Sequence, residues 1–158
     1  MALMTTQALI RQLMNDDTPT ASAVDALRRL LDDATAETAV PVGVAEAAAL
    51  TGLTTATLRY YETEGLVRPG RDQSGYRSYG SADLRRLVFL TRMRLTGMRM
   101  RDLKRYIRLV EKGEGTAPER RTLMVEQRNR IRAQMRELDL ALAATEYKIV
   151  TYGGVPRD

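Results

Sequence analysis

The 158-residue sequence predicts a mainly α protein in which short helices surround one small β hairpin and a single long helix follows. Three observations predict it. Apolar residues recur at helical spacing over most of the chain. Pro69 to Gly75 is a turn-rich loop set between two short strand-like runs. After Pro118 there is neither glycine nor proline as far as Tyr147.

The first forty residues read as two short amphipathic helices. Leu9, Ile10, Leu13 and Met14 form one apolar cluster, closed by Asn15-Asp-Asp-Thr-Pro19. Val24, Leu27, Leu31 and Ala34 make a cleaner stripe at i, i+3, i+7 and i+10, with Thr20 or Ser22 placed to cap it. Neither helix is long enough to stand alone in water, so both need a surface to pack on. Residues 34–41 read as a linker.

Residues 44–64 read as helix–turn–helix. Ala45 to Leu50 is the first helix, Thr51-Gly52-Leu53 the turn, and Thr54 the cap of a second helix that Gly65 ends. Leu66-Val-Arg68 and Arg77-Ser-Tyr79 then read as the two strands of a hairpin, or wing. Ser81 opens a further helix with Asp83 in its first turn, where the helix dipole favours an anion. Its face is Leu84, Leu87, Val88, Thr91 and Leu95. After Gly97 another helix buries Met100, Leu103, Ile107 and Val110, and residues 111–118 form a second linker.

The last helix is the longest. Thirty residues at ~1.5 Å each make a rod of about 45 Å. Met124, Ile131 and Leu138 recur every seven residues, and Met135, Leu142 and Ile149 recur every seven on the adjoining position, a seam of the coiled-coil kind. Arg128 and Thr145 interrupt it. A rod this long cannot bury its stripe against so small a domain, so a second copy is the economical partner. The expected organisation is an N-terminal helical extension and linker at 1–40, a winged helix–turn–helix domain at 41–113, a dimerisation helix at 114–149 carrying Met124, Ile131, Met135, Leu138 and Leu142, and a short tail at 150–158.

Composition removes whole classes of chemistry. The chain has no cysteine and no histidine. That excludes disulfides, thiolate metal sites and imidazole bases, and no metal or cofactor is expected. No pair of carboxylates stands out from the helix surfaces and no glycine-rich phosphate loop appears, so an enzyme is not expected. No apolar run is long enough to span a membrane, and the N-terminus lacks the order of a signal peptide, so the expectation is a cytoplasmic protein. The net charge of +5 is unevenly spread. Residues 1–39 carry three arginines against six acids, whereas residues 40–113 carry fourteen Lys/Arg against seven acids. Basic charge concentrates where a nucleic-acid footprint would need it.

Within that basic segment, Thr54, Thr55, Arg59 and Tyr60 start the second helix, with Thr55 and Arg59 on one face and Leu58 and Tyr61 turned to the core. Such a face can donate to base edges and phosphates together. In the wing, Arg71, Tyr76, Arg77 and Tyr79 combine cationic forks with rigid phenols, as backbone phosphates require; a tyrosine-rich hairpin is also a packing device, so a core-facing Tyr76 or Tyr79 is the lesser alternative. The methionines Met93, Met98, Met100, Met124 and Met135 read as packing fillers.

The run Thr57-Leu-Arg-Tyr-Tyr-Glu62, then Gly65-Leu-Val-Arg-Pro69, then Gly75-Tyr-Arg-Ser-Tyr79, preceded by Val44-Ala-Glu-Ala-Ala-Ala-Leu-Thr-Gly52, closely resembles the MerR family of bacterial transcription regulators. The resemblance reaches about Lys112, and more loosely residue 150. It implies an antiparallel pairing of the last helices in a homodimer that sits on a pseudo-palindromic promoter site in double-stranded DNA. Bending and untwisting an over-long spacer would then realign promoter elements for RNA polymerase, with specificity arising partly at untouched base pairs. An architectural or recombination-accessory protein of the excisionase kind is the alternative, and the long seam argues against it. Metal and thiol sensors of the family use cysteines that this chain lacks. A small apolar effector at the dimer interface, an effector-free regulator, or a switch through the acidic extension remain open. The extension is expected to dock on the body with Leu27 and Leu31 in apolar contact and some of Asp25, Asp32 and Asp33 near basic groups. One departure from the family pattern is the helix after Gly97, where Arg99, Arg101, Lys104, Arg105 and Arg108 surround the apolar positions.

Overall fold

The computed structural model describes residues 4–32 and 40–155. Its elements are α1 (Thr6–Met14), α2 (Thr20–Leu31), α3 (Val44–Thr51), α4 (Thr55–Thr63), β1 (Gly70–Arg71), β2 (Arg77–Ser78), α5 (Ser81–Leu95), α6 (Met100–Lys112), a 3-10 turn (Glu114–Thr116) and α7 (Ala117–Thr151). They fall into two units, one ending at Leu95 and the other beginning at Thr96. The extension therefore shares a unit with the helix–turn–helix, and α6, expected with residues 41–113, groups with α7.

In the first unit α1 lies against α2, α3 and α5, and α2 also touches α5. Thr5 caps α1, its hydroxyl accepting the Ala8 N–H at 3.2 Å. The buried positions are Thr6, Leu9 and Ile10 of α1 and Ala26 and Leu30 of α2. This corrects the expected stripe: Val24 and Leu31 are exposed and Leu27 is half-buried. The face carrying small Ala26 turns inward because it lets α2 approach its neighbours closely. The cap is also different, since Pro19 precedes the helix and no side chain caps it. Asp25 pairs with Arg28 of its own helix at 3.7 Å, while Asp33 and Ala34 lie outside the described residues.

The helix–turn–helix forms as read. Gly52 ends α3 at φ +69°, a conformation that favours glycine. Met14 of α1 covers that turn, its methyl 2.9 Å from where a Cβ on Gly52 would stand. Thr54 caps α4 by accepting the Thr57 N–H at 3.1 Å. Leu58 and Tyr61 are buried as expected.

The wing is shorter and later than expected. Leu66 and Val67 are fully buried and serve as core rather than strand. The first strand begins only after Pro69, and Gly70 pairs with Ser78 and Arg71 with Arg77. Val42 bridges to Tyr79 through two hydrogen bonds of 2.9 and 2.8 Å, which ties the hairpin to the chain before α3. In α5, Leu84, Leu87, Val88 and Leu90 are buried, whereas Leu95 is exposed. Asp83 accepts the Gly80 N–H at 3.0 Å, and burial pushes its carboxyl up.

In the second unit α6 packs on α7; Leu103, Ile107 and Leu109 of α6 are buried, with Met100 and Val110 half-buried. Gly97, at φ +88°, turns the chain into α6. The preceding Thr96 is held by two glutamines of α7. Gln127, fully buried, donates to the Thr96 hydroxyl at 2.9 Å, and Gln134 donates to the Thr96 carbonyl at 2.7 Å. Beyond Gln127, α7 runs on with no buried residue. Its 35 residues span about 52 Å at ~1.5 Å each.

Candidate nucleic-acid interface

The candidate surface is built by three elements of the first unit: the start of α3, the outer face of α4, and the hairpin. They enclose a groove of about 530 Å³ lined by Gly43 to Glu46, Arg59 and the hairpin residues Arg71, Asp72, Gly75, Tyr76 and Arg77. No side chain caps α3, so its first-turn N–H groups are available to an anion, although Glu46 stands among them.

Of the expected residues, the structure brings Arg59, Arg71, Tyr76 and Arg77 to this groove. Arg59, Tyr60, Arg71 and Tyr76 are exposed, Tyr76 at 73%. Thr55 is half-buried at the start of α4. Thr54 is exposed, but its hydroxyl is engaged by the Thr57 N–H and the Thr57 hydroxyl, so its part in this surface is to start the helix. Tyr60 stands 6.2 Å from the buried Tyr61 ring, centroid to centroid, which steadies its outward pose. Tyr79 is the correction. It is completely enclosed and its hydroxyl is buried without a partner. Burial pushes that phenol up, with the Glu62 charge adding to the effect. Tyr79 is a core residue because its backbone pairs with Val42, which turns the side chain inward.

Two carboxylates that sequence reasoning left without a role organise the surface. Glu62, on the last turn of α4, takes one guanidinium on each oxygen. Oε1 accepts from Arg71 at 3.0 Å, and Oε2 accepts from the Arg77 Nε. That bond holds the Arg77 guanidinium above its ordinary value. Asp72 opens the hairpin loop, its Oδ1 accepting the Ser74 and Tyr76 N–H groups at 2.9 Å each, which holds Tyr76 outward. The order Asp-Gln-Ser-Gly is a readable turn signal for Asp72. For Glu62 the only signal was its place in the tyrosine motif.

The dimerisation candidates lie in the second unit. Met124 and Ile131 are half-buried, and Met135, Leu138 and Leu142 are 59%, 68% and 55% exposed, a row of large apolar side chains facing solvent in a single chain. Among the described residues no helix is long and apolar enough to cross a membrane.

Comparison with known proteins agrees with this geometry. Residues 43–109 match the MerR HTH family regulatory protein model. An uncharacterized HTH-type transcriptional regulator of Haemophilus influenzae is 37% identical over 109 residues, covering 68% of this chain and 81% of the relative. The crystal structure of HiNmlR, a MerR family regulator lacking the sensor domain and bound to promoter DNA, superposes with a TM-score of 0.66 at 35% identity, over 71% of this chain and 90% of that one. A MerR family transcriptional regulator from Listeria monocytogenes gives a TM-score of 0.65 at 33% identity, over 70% and 85% of the two chains. A capped recognition helix, a hairpin bearing two clamped arginines and these likenesses lead to one conclusion: the chain belongs to the MerR family of helix–turn–helix transcription regulators.

Proposed function

We propose that the protein works as a homodimer in the bacterial cytoplasm, paired through α7 in antiparallel fashion, and binds a pseudo-palindromic site in promoter DNA. Each copy presents Thr55, Arg59 and Tyr60 to the major groove and Arg71, Tyr76 and Arg77 to the flanking phosphates. The DNA is bent and untwisted, which shortens an over-long spacer and realigns promoter elements for RNA polymerase without a direct grip on it. Phosphate contacts supply the energy of that deformation, so sequence is selected partly by how readily it deforms.

The observation that carries the reading is α7. Its row of Met135, Leu138 and Leu142 is exposed and uncovered among the described residues of one chain, and an apolar stripe on a 35-residue helix is the pattern of a two-helix seam. Support for the promoter comes from HiNmlR, which was crystallised on promoter DNA. The test combines sedimentation with transcription in vitro. The reading requires a dimer, protection between the promoter elements, and stimulation that disappears when the spacer is shortened by two base pairs. A monomer, or binding with no dependence on spacer length, refutes it; the second result would favour an architectural role.

A further inference from the structure

The wing register sets Arg71 directly opposite Arg77. Like charges placed so are destabilising across a strand pair. Glu62 lies between them and joins each to one carboxylate oxygen. The three groups are partly shielded, with side chains 47%, 32% and 23% exposed for Arg71, Arg77 and Glu62, so the pairing is less screened than one at an open surface. Because Glu62 belongs to α4, the clamp also ties the wing arginines to the helix that carries Arg59. With its Nε engaged by Glu62, Arg77 keeps its two terminal nitrogens for a phosphate in bidentate fashion.

We propose that Glu62 is the positioning residue that makes DNA binding selective, by holding Arg71 and Arg77 in one register with the recognition helix. The inference rests on the reading that this face meets DNA. Clamped arginines reach phosphates only when α4 is seated in the groove at the right place. Freed from Glu62, they would follow the backbone of any duplex. The carboxylate also offsets cationic charge beside a groove lined by Arg59, Arg71 and Arg77 together with Glu46 and Asp72. Glu62 thus lowers affinity for DNA in general and raises the contrast between the right site and the rest.

The experiment measures two affinities across a salt series. One probe is a labelled duplex carrying the site recovered by selection from a random library, and the other is an unselected duplex of equal length. In Glu62→Gln the unselected duplex should bind severalfold tighter at low salt, with the salt slope steeper by up to about one unit. The ratio of the two affinities should fall about tenfold, because the phosphate contacts no longer depend on register. Arg77→Lys keeps the charge but removes the Nε that Glu62 holds. It should lower the ratio with the slope unchanged, which makes the test independent of how Glu62→Gln folds. In an Arg71→Gln/Arg77→Gln background, Glu62→Gln should leave the ratio where it was. An unchanged ratio in the single variants, a parallel loss of both affinities, or a fall that persists without the two arginines overturns the inference. If the wild-type chain prefers no sequence, the functional reading fails first and takes this inference with it.

Discussion

Ile10→Ala tests whether the N-terminal extension is part of the folded body. Ile10 is completely buried on α1, the helix that lies against α2, α3 and α5. Removing its outer carbons from a site with no solvent access costs about 2–4 kcal/mol, the range for large-to-small changes in a core. The extension is anchored mainly by Leu9, Ile10 and Leu30. At about 2 kcal/mol each these contribute about 6 kcal/mol, before the entropy of ordering two short helices is subtracted. A loss of about 3 kcal/mol is a large share of that, so the extension should open far more often while the helix–turn–helix stays folded. Native-state hydrogen exchange reads this directly. Amides from Ala26 to Leu31 should lose about two orders of magnitude of protection, and those from Leu58 to Glu62 much less, since regional opening need not follow global unfolding. Random-coil exchange at Ala26–Leu31 in the wild type would refute the docking. Equal loss in α2 and α4 would refute the independence of the extension.

Arg59→Ala should weaken binding to the selected site by about 1–3 kcal/mol with circular dichroism unchanged, as for one lost polar contact to DNA; anisotropy titration at wild-type affinity would remove Arg59 from the interface. Tyr79→Phe should leave DNA affinity unaltered and shift stability by no more than about 1–2 kcal/mol, in the stabilising direction, because the deleted hydroxyl is buried and unpartnered. A tenfold loss of DNA binding would show that this phenol reaches the DNA after all. Leu138→Asp should yield a folded monomer with little selective DNA binding, since a carboxylate in the α7 seam costs several kcal/mol and half-sites need fixed spacing. A dimer of wild-type strength in the ultracentrifuge would sink the seam.

Much of the architecture was legible because its causes are local. Thr54 could be read as a cap because a threonine at that place satisfies an N–H three residues on. Gly52 could be read as the turn because few other residues adopt its positive φ. The absence of glycine and proline after Pro118 announced α7, and the alternation of Leu58 and Tyr61 with Arg59 and Tyr60 announced which side of α4 is outer. Where the reading failed, two faces or two fates were locally equivalent. On α2, Val24–Leu27–Leu31 and Ala26–Leu30 are both apolar, and the choice between them was made by the surface that α1 and α5 present. Leu66 and Val67 have strand-forming character, yet burial used them as core and left pairing to Gly70 and Arg71.

The chain by itself determined the helices, the turn, the presence of a hairpin around residues 70–78 though not its first strand, and the class of partner, because period, capping and charge act over a few residues. Tertiary structure alone decided that the extension packs on α3 and α5, that Tyr79 is enclosed by its pairing with Val42, and that Glu62 holds Arg71 and Arg77. These are contacts between residues many positions apart. Their geometry depends on how the intervening elements pack, and no local preference encodes it.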